Sequence, residues 1–483
     1  MKLDRNRCDR ARLARDQRFD GLFFTGVHST GIFCRPICPA PAPRPEHIVY
    51  YPSAAAAMEA GLRPCLRCRP EASPGTPAWN GTSATVARAM TLIRQGALNQ
   101  GSVDDLADRL GVGGRHLRRL FNIHIGASPL TLAITQKVLF AKKLIDESDL
   151  TMTEIAFASG FGSIRRFNAA FRKIYDRTPS ELRRTSGQTT LKSDAQFHVT
   201  LNLAYRQPFD WLAMLGFFAM RAIPGVECVD GESYHRTIRL NRTFGTLCVS
   251  PAPKAHALVL QANLSDSRYL PVIVERVRRM FDLDANMEAI HAVLSADPLL
   301  AELVQRHPGL RLPGTWDPFE AAVRAVVGQQ VSLKAARTVV GRIVSRRGPC
   351  CEQSSHPGLT HYFPTAGEMR EGMPESVGMP RKRMETIVSL AGAVASGAVN
   401  FVVRGSLSDF VADLTRIPGI GAWTAHYIAM RALGEPDAFP ANDLGIRRAL
   451  QQEQDQPTHR QIQARAHSWR PWRAYAAIHL WNR

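Results

Sequence analysis

Four cysteines in two short-spaced pairs, Cys34-x3-Cys38 and Cys65-x2-Cys68, are the side chains of this 483-residue sequence best arranged to do chemistry. Each pair can take two corners of a tetrahedron while the chain between them folds back, so the spacing predicts a four-cysteine zinc site. On spacing alone a structural zinc is the simpler reading. Chance spacing or a redox pair is the alternative to zinc. A further set lies near the end. Leu414-Thr415-Arg416-Ile417-Pro418-Gly419-Ile420-Gly421-Ala422-Trp423 reads as a tight hairpin between two helices, whose backbone amides can approach a phosphate; an ordinary turn is the alternative. Asp443 follows Trp423 by 20 residues, and Trp469, Trp472, Tyr475 and Trp481 crowd the last stretch.

The elements that position these residues must be divided among several domains, because 483 residues are too many for one core. The apolar content of 45% describes globular material. The longest apolar run, Trp211 to Met220, is half of what a membrane span requires, so no membrane segment is expected. The first residues carry basic side chains with no apolar stretch behind them, which predicts a reducing, cytoplasmic compartment rather than secretion. The formal charge of +19 is spread along the chain, and nucleic acid is the partner such a balance favours. Cys8, Cys228 and Cys248 read as free thiols, the last two in cores. Cys350 and Cys351 with His356 and His361 could suggest a second metal, but neighbouring side chains converge poorly on one ion.

Two composition breaks, at residues 70–83 and 185–193, read as linkers. The expected fold is multidomain and mainly α with α+β parts. It comprises a small α/β zinc domain over 1–78, an all-α double helix-turn-helix over 84–186, and a third domain over 195–483. In that third domain a small antiparallel sheet (195–270), announced by alternation near Phe197–Tyr205, Ile238–Leu240 and Ala257–Leu260, precedes a helical part (271–483). The helical middle is a repeat: Ser102-Val103-Asp104-Asp105 resembles a capping box, and Thr153–Phe161 opens a second unit about fifty residues on. A connecting helix is expected around Leu130 to Ile145. The second helix of each unit carries a polar, largely basic outer face: Arg115, His116, Arg118, Arg119 and Asn122, then Ser163, Arg165, Arg166, Asn168 and Lys173. A solvated surface is one reading of these faces, and a pair of major-groove recognition helices is the other.

Gly31-Ile32-Phe33-Cys34-Arg35-Pro36-Ile37-Cys38 with Arg63-Pro64-Cys65-Leu66-Arg67-Cys68 resembles the amino-terminal domain of the Ada methylation-response regulators. That resemblance implies one Zn2+ held by Cys34, Cys38, Cys65 and Cys68, with Cys34 accepting a methyl group from a DNA methyl phosphotriester. Gly160-Phe161 and Tyr175-Asp176-Arg177-Thr178-Pro179 resemble the AraC-type activators. This implies promoter binding by a monomer with two readers, and contact with RNA polymerase during activation.

The segment from about 197 to the end resembles the AlkA-like 3-methyladenine glycosylases of the helix-hairpin-helix superfamily. The match runs through Phe209-Asp210-Trp211, Gly309-Leu310-Arg311-Leu312-Pro313-Gly314, Gly328-Gln329-Gln330-Val331-Ser332, the hairpin and Asp443. It implies that Asp443 is the catalytic carboxylate and that Phe217, Trp423, Tyr427 and Trp481 form the base pocket. Gln330 would fill the gap in the duplex, and Gly419 and Gly421 would approach DNA. Trp423 stands where bifunctional relatives carry lysine, so hydrolysis without a Schiff base and without a further cofactor is implied. Leu444 and Gln330 depart from the best-known pattern, an aromatic residue and an aliphatic wedge, which bears on substrate range. No Pro-Cys-His-Arg segment of an alkylguanine transferase is present, so O6-alkylguanine repair is not expected.

The combined expectation is a nucleoid-associated repair protein and regulator acting on double-stranded DNA, both alkylated and promoter. The alternative is a regulator with structural zinc whose last domain grips DNA without chemistry.

Overall fold

A computed structural model of the chain describes residues 4–74, 84–99, 101–186, 197–241, 243–253, 255–352, 354, 356–372, 377–401, 406–451 and 457–483. Residues 75–83 and 187–193 of the two expected linkers lie outside these. The chain forms two compact units, Met1–Gln207 with Ala252–Arg278 and Leu283–Asn286, and Pro208–Pro251 with Arg279–Asp282 and Met287–Arg483.

In the first unit, β1 (Phe24–Val27) pairs antiparallel with β2 (Ile32–Cys34) and β3 (Ile48–Tyr51), while β4 (Arg63–Pro64) lies parallel to β2. Phe24, Phe33, Ala54, Ala57 and Leu62 form the core behind this sheet, and Leu139 from the middle segment packs on it. Burying these side chains outweighs the cost of ordering such short strands. Residues 70–74 do not run free as a linker. Pro70 and Pro74 are buried, and Glu71 meets Lys142.

The middle segment folds as the two expected helix pairs. Helices Val103–Arg109 and Gly114–His124 form the first, Met152–Ala158 and Ile164–Tyr175 the second, and Pro129–Glu147 joins them. Capping boxes start both leading helices, Ser102 with Asp105 and Thr151 with Glu154. Gly111 and Gly160 take positive φ in the turns, at +70° and +79°, where a side chain would strain the backbone. Phe167, Phe171 and Tyr175 face inward at helical spacing, leaving the polar residues outside.

Five further strands follow: β5 (Phe197–Ala204), β6 (Glu227–Asp230), β7 (Ser233–Leu240), β8 (Thr243–Pro251) and β9 (Ala257–Leu264). β5 pairs antiparallel with β9 in the first unit. In the second unit β7 pairs antiparallel with both β6 and β8. A buried ion network fixes this meander to helix Pro318–Val327. Arg236 reaches Glu227 at 3.2 Å and Glu320 at 2.9 Å, and Arg324 bridges the same two carboxylates. Burial favours a protonated Glu227, but Arg324 and Arg236 overcome it and hold its pKa at about 2. Cys228 and Cys248 are half-buried rather than core residues, because each sits on the partly open face of its strand.

Among the described residues, no helix is long and apolar enough to cross a membrane. Helices Leu407–Thr415 and Ala422–Leu433 frame the expected hairpin, and the second packs against Pro318–Val327.

Candidate active site

The sheet of the first unit brings the two cysteine pairs together. Cys34 ends β2 and Cys65 follows β4, where its N–H donates to Phe33 O over 3.0 Å. A turn from Arg35 O to Cys38 N returns the second cysteine of the first pair. All four sulfurs lie within 4.8 Å of one another. Four sulfurs at that separation, all able to become thiolates, fit a tetrahedral zinc with Zn–S of about 2.3 Å. Cys65 and Cys68 are buried, whereas Cys34 and Cys38 are half-buried and can be approached. Hydrogen bonding with Cys38, Cys65 and Cys68, then burial, pushes the Cys34 thiol far above its ordinary range. A divalent cation bound there would supply the positive charge that makes this sulfur a thiolate at neutral pH.

Arg35 is a site residue that spacing did not mark, although it stands inside the motif. Its backbone N–H donates to Cys68 Sγ over 3.3 Å and its guanidinium donates to Cys68 O over 3.1 Å. Asp20, nearly fully buried, grips the same guanidinium. Arg69, one residue past the last cysteine, forms an ion pair with Asp146 at 2.9 Å, and so ties the cluster to the helix joining the two helix-turn-helix units. Arg115, Arg118, Arg119, Arg165 and Arg166 are all exposed on the outer faces of their helices.

In the second unit, Asp443 caps helix Leu444–Ala449, and its Oδ1 accepts from Ile446 N over 3.1 Å. Two indoles complete its surroundings: Trp423 Nε1 donates to Oδ2 over 3.0 Å and Trp481 Nε1 to Oδ1 over 2.9 Å. Trp423 and Tyr427 lie one turn apart on a helix and stack at 5.4 Å and 13°. Trp481 meets Tyr427 at 6.2 Å. Three of the four expected aromatics and the carboxylate therefore share one wall. Phe217 joins them indirectly. Arg221 lies 3.7 Å and Arg431 4.5 Å from its ring centroid, and Arg431 also donates to Tyr427 OH over 3.2 Å.

These arginines were not expected, although Arg431 is four residues past Tyr427 on the same helix and so on the same face. Burial raises the Tyr427 hydroxyl, but Arg431, Arg221 and Arg324 outweigh it and draw its pKa below the usual phenol value. Burial lowers Arg431 itself to about 10, since its hydrogen bonds run to Pro313 O, Gly314 O and Tyr427 OH rather than to a carboxylate.

Gly419 has φ of +90°, and a Cβ there would meet Thr386 Oγ1 at 2.1 Å, so only glycine fits this corner of the hairpin. Gly421 caps the following helix in extended conformation. Gln329 donates to Gly419 O over 2.9 Å and Thr424 Oγ1 over 3.0 Å, bracing the hairpin. The next residue, Gln330, is exposed with a left-handed φ of +54°.

Four family models match in order: the metal binding domain of Ada over residues 7–71, a helix-turn-helix domain over 106–185, the AlkA N-terminal domain over 200–317, and the HhH-GPD superfamily of base excision DNA repair proteins over 323–474. The chain is 42% identical over its full length to a probable bifunctional transcriptional activator/DNA repair enzyme AlkA of Mycobacterium tuberculosis, covering 97% of that protein. It is 32% identical over 287 residues to DNA-3-methyladenine glycosylase 2 of Escherichia coli, covering 58% of this chain and 96% of that one. The fold of a 3-methyladenine DNA glycosylase from Archaeoglobus fulgidus superposes with a TM-score of 0.51 at 22% identity, covering 58% of this chain and 97% of the other. The chain belongs to the family of bifunctional transcriptional activator/DNA repair enzymes AlkA.

Proposed function

We propose that this chain is an alkylation-damage response protein joining a DNA-3-methyladenine glycosylase to a methyl-accepting, DNA-binding regulator. The observation that carries the glycosylase reading is the pair of indole N–H groups on Asp443, one to each oxygen. They hold an acceptor carboxylate against the stacked faces of Trp423 and Tyr427, where a base flipped from the duplex can stack. A base alkylated at N3 or N7 is cationic, so it leaves with the glycosidic electron pair as a neutral molecule and needs no acid. The sugar is left as an oxocarbenium, which Asp443 stabilises while orienting the water whose oxygen bonds to C1′. The water's proton is released through the carboxylate. Trp423 offers no amine, so the product is an abasic site. Gln330, projecting beside the braced hairpin, fills the space of the flipped nucleotide, and Gly419 and Gly421 let backbone amides reach the phosphates.

In the first unit, Cys34, Cys38, Cys65 and Cys68 hold zinc, which when bound keeps the sulfurs ionised. The Cys34 sulfur attacks the methyl carbon of a phosphotriester. The methyl–oxygen bond breaks with its electron pair left on the phosphodiester, and Cys34 becomes a thioether. Its exposure relative to Cys65 and Cys68 supports this role. The transfer takes one negative charge from a cluster that otherwise repels DNA, so the methylated chain binds its promoter more tightly through the two basic helices. Action on the nucleoid as a monomer, with contact to RNA polymerase, belongs to the same reading. Release of 3-methyladenine from alkylated DNA tests the enzyme: wild type should liberate the base and Asp443→Asn should not.

A further inference from the structure

Helix Ala422–Leu433 sets Trp423, Tyr427 and Arg431 four residues apart, so the three side chains share one face that runs about 12 Å from first to last. Asp443 accepts the Trp423 indole N–H at the beginning of that row. The other end is cationic. Arg431, 6% exposed, donates to Pro313 O at 2.5 Å, Gly314 O at 3.0 Å and Tyr427 OH at 3.2 Å. Arg221 donates to Phe217 O at 3.2 Å and meets the Tyr427 hydroxyl, and its Nε is buried without a hydrogen-bond partner. Each of these acceptors is an oxygen outside any carboxylate. Glu227 and Glu320 neutralise Arg324 and Arg236. Among the described residues, the charged groups that face Arg221 and Arg431 are Tyr427, Arg324 and each other, so the two guanidiniums add positive charge that no carboxylate offsets. They lie 3.7 Å and 4.5 Å from the Phe217 ring centroid, and Arg431 lies 5.9 Å from that of Tyr427. Phe217, Trp423, Tyr427, Trp481 and Asp443 are half-buried and so open to a substrate.

We infer that Arg221 and Arg431 supply the base-side half of an electrostatic arrangement whose sugar-side half is Asp443, acting on the flipped base through the rings of Phe217 and Tyr427. This rests on the glycosylase reading above. When the glycosidic bond breaks, its electron pair moves from C1′ to the base nitrogen. An alkylated base passes from cation to neutral molecule, and the sugar takes up the positive charge. Positive charge behind the base and negative charge at the sugar both favour that movement. Burial of Arg431 keeps water from screening its share.

The same arginines repel the lesion before the bond breaks, while the base is still positive. They weaken binding of the intact cation and lower the barrier to its release, which is the difference between ground state and transition state that catalysis requires. An aromatic box without them does the opposite, holding the cation most tightly at the start.

The test is single-turnover release of 7-methylguanine from duplex DNA by the full chain. Arg221, half-buried just past helix Trp211–Ala219, is the position to change. Arg221→Gln should slow the release step at least about tenfold, while the protein concentration that gives half the maximal rate stays level or falls. Arg221→Lys keeps the charge and should restore most of the rate. An Arg221→Gln protein as fast as wild type, or one that loses rate and affinity together without rescue by Arg221→Lys, overturns the inference. Absence of release by wild type would instead overturn the glycosylase reading. A measurement on wild type alone decides the question if the variants do not fold. Duplexes carrying 2′-fluoro-7-methylguanine, a cation that resists cleavage, and neutral 7-methyl-7-deazaguanine are compared for affinity. The neutral base should bind at least as tightly; tighter binding of the cation overturns the inference.

Discussion

Trp481 Nε1 donates to Asp443 Oδ1 over 2.9 Å, linking the end of helix Arg473–Trp481 to the N-cap of helix Leu444–Ala449. The bond orients one oxygen of the carboxylate that the sugar cation would meet. Trp481→Phe keeps a ring on the aromatic wall and removes only the donor. A hydrogen bond to a charged group is worth roughly 1.5–3 kcal/mol, so base release should slow by about tenfold or more while KM for alkylated DNA changes little. Equal rates for Trp481→Phe and wild type would detach Trp481 from the chemistry.

Gln330 is held in the left-handed region, where a side chain costs roughly 1–2 kcal/mol. Gln330→Gly relieves that strain and should raise the melting temperature of the glycosylase unit by a few degrees, yet it should slow base release from duplex DNA. Gln330→Ala should slow release without the thermal gain. Full activity in both variants would mean that this side chain does not fill the duplex.

Burial, then the charges of His291 and His307, lowers the His479 pKa from 6.5 to about 4, and neither ring nitrogen has a hydrogen-bond partner. The folded state therefore binds this proton less readily than the unfolded chain. Its contribution is intact above about pH 6.5 and falls as pH drops through 4, by up to about 3 kcal/mol. Because His479 sits two residues before Trp481, glycosylase activity should fall with the same acid limb. Urea unfolding from pH 7 to 4 should show a shallower acid decline in His479→Leu than in wild type; parallel declines would reject the assignment.

Arg69 and Asp146 join the thiol cluster to the helix between the two DNA readers. Asp146→Asn should leave methyl acceptance by Cys34 unchanged but shrink the gain in promoter affinity on methylation, on the order of fivefold or more. Titration of operator DNA with methylated and unmethylated protein reads this directly. An undiminished gain would place the coupling elsewhere.

Local pattern made much of this molecule legible. The cysteine spacings, the Ser102 capping box, the turn glycines and the hairpin before Trp423 all act over a few residues, and they stand as read. Asp443, Trp423, Tyr427 and Trp481, which resemblance to a glycosylase family located, lie together in the fold, and their roles belong to the proposed function. Features made by distant partners were not legible. β6 and β8, which carry Cys228 and Cys248, gain their identity from pairing with β7. Read singly, those cysteines looked like core residues. Arg221, Arg324 and Arg431 gather at Tyr427 from separate helices and one loop, so no window of sequence could contain them. Residues 70–74 had the composition of a linker but pack because Glu71 finds Lys142.

The proposed function is two separate reactions on methylated DNA by one chain. Its most direct test is to incubate the purified full-length protein with methyl-labelled DNA and count label in protein and in released bases separately. Wild type should show both, Cys34→Ser only released bases, and Asp443→Asn only labelled protein. Label absent from either wild-type fraction, or unmoved by the matching substitution, would contradict it.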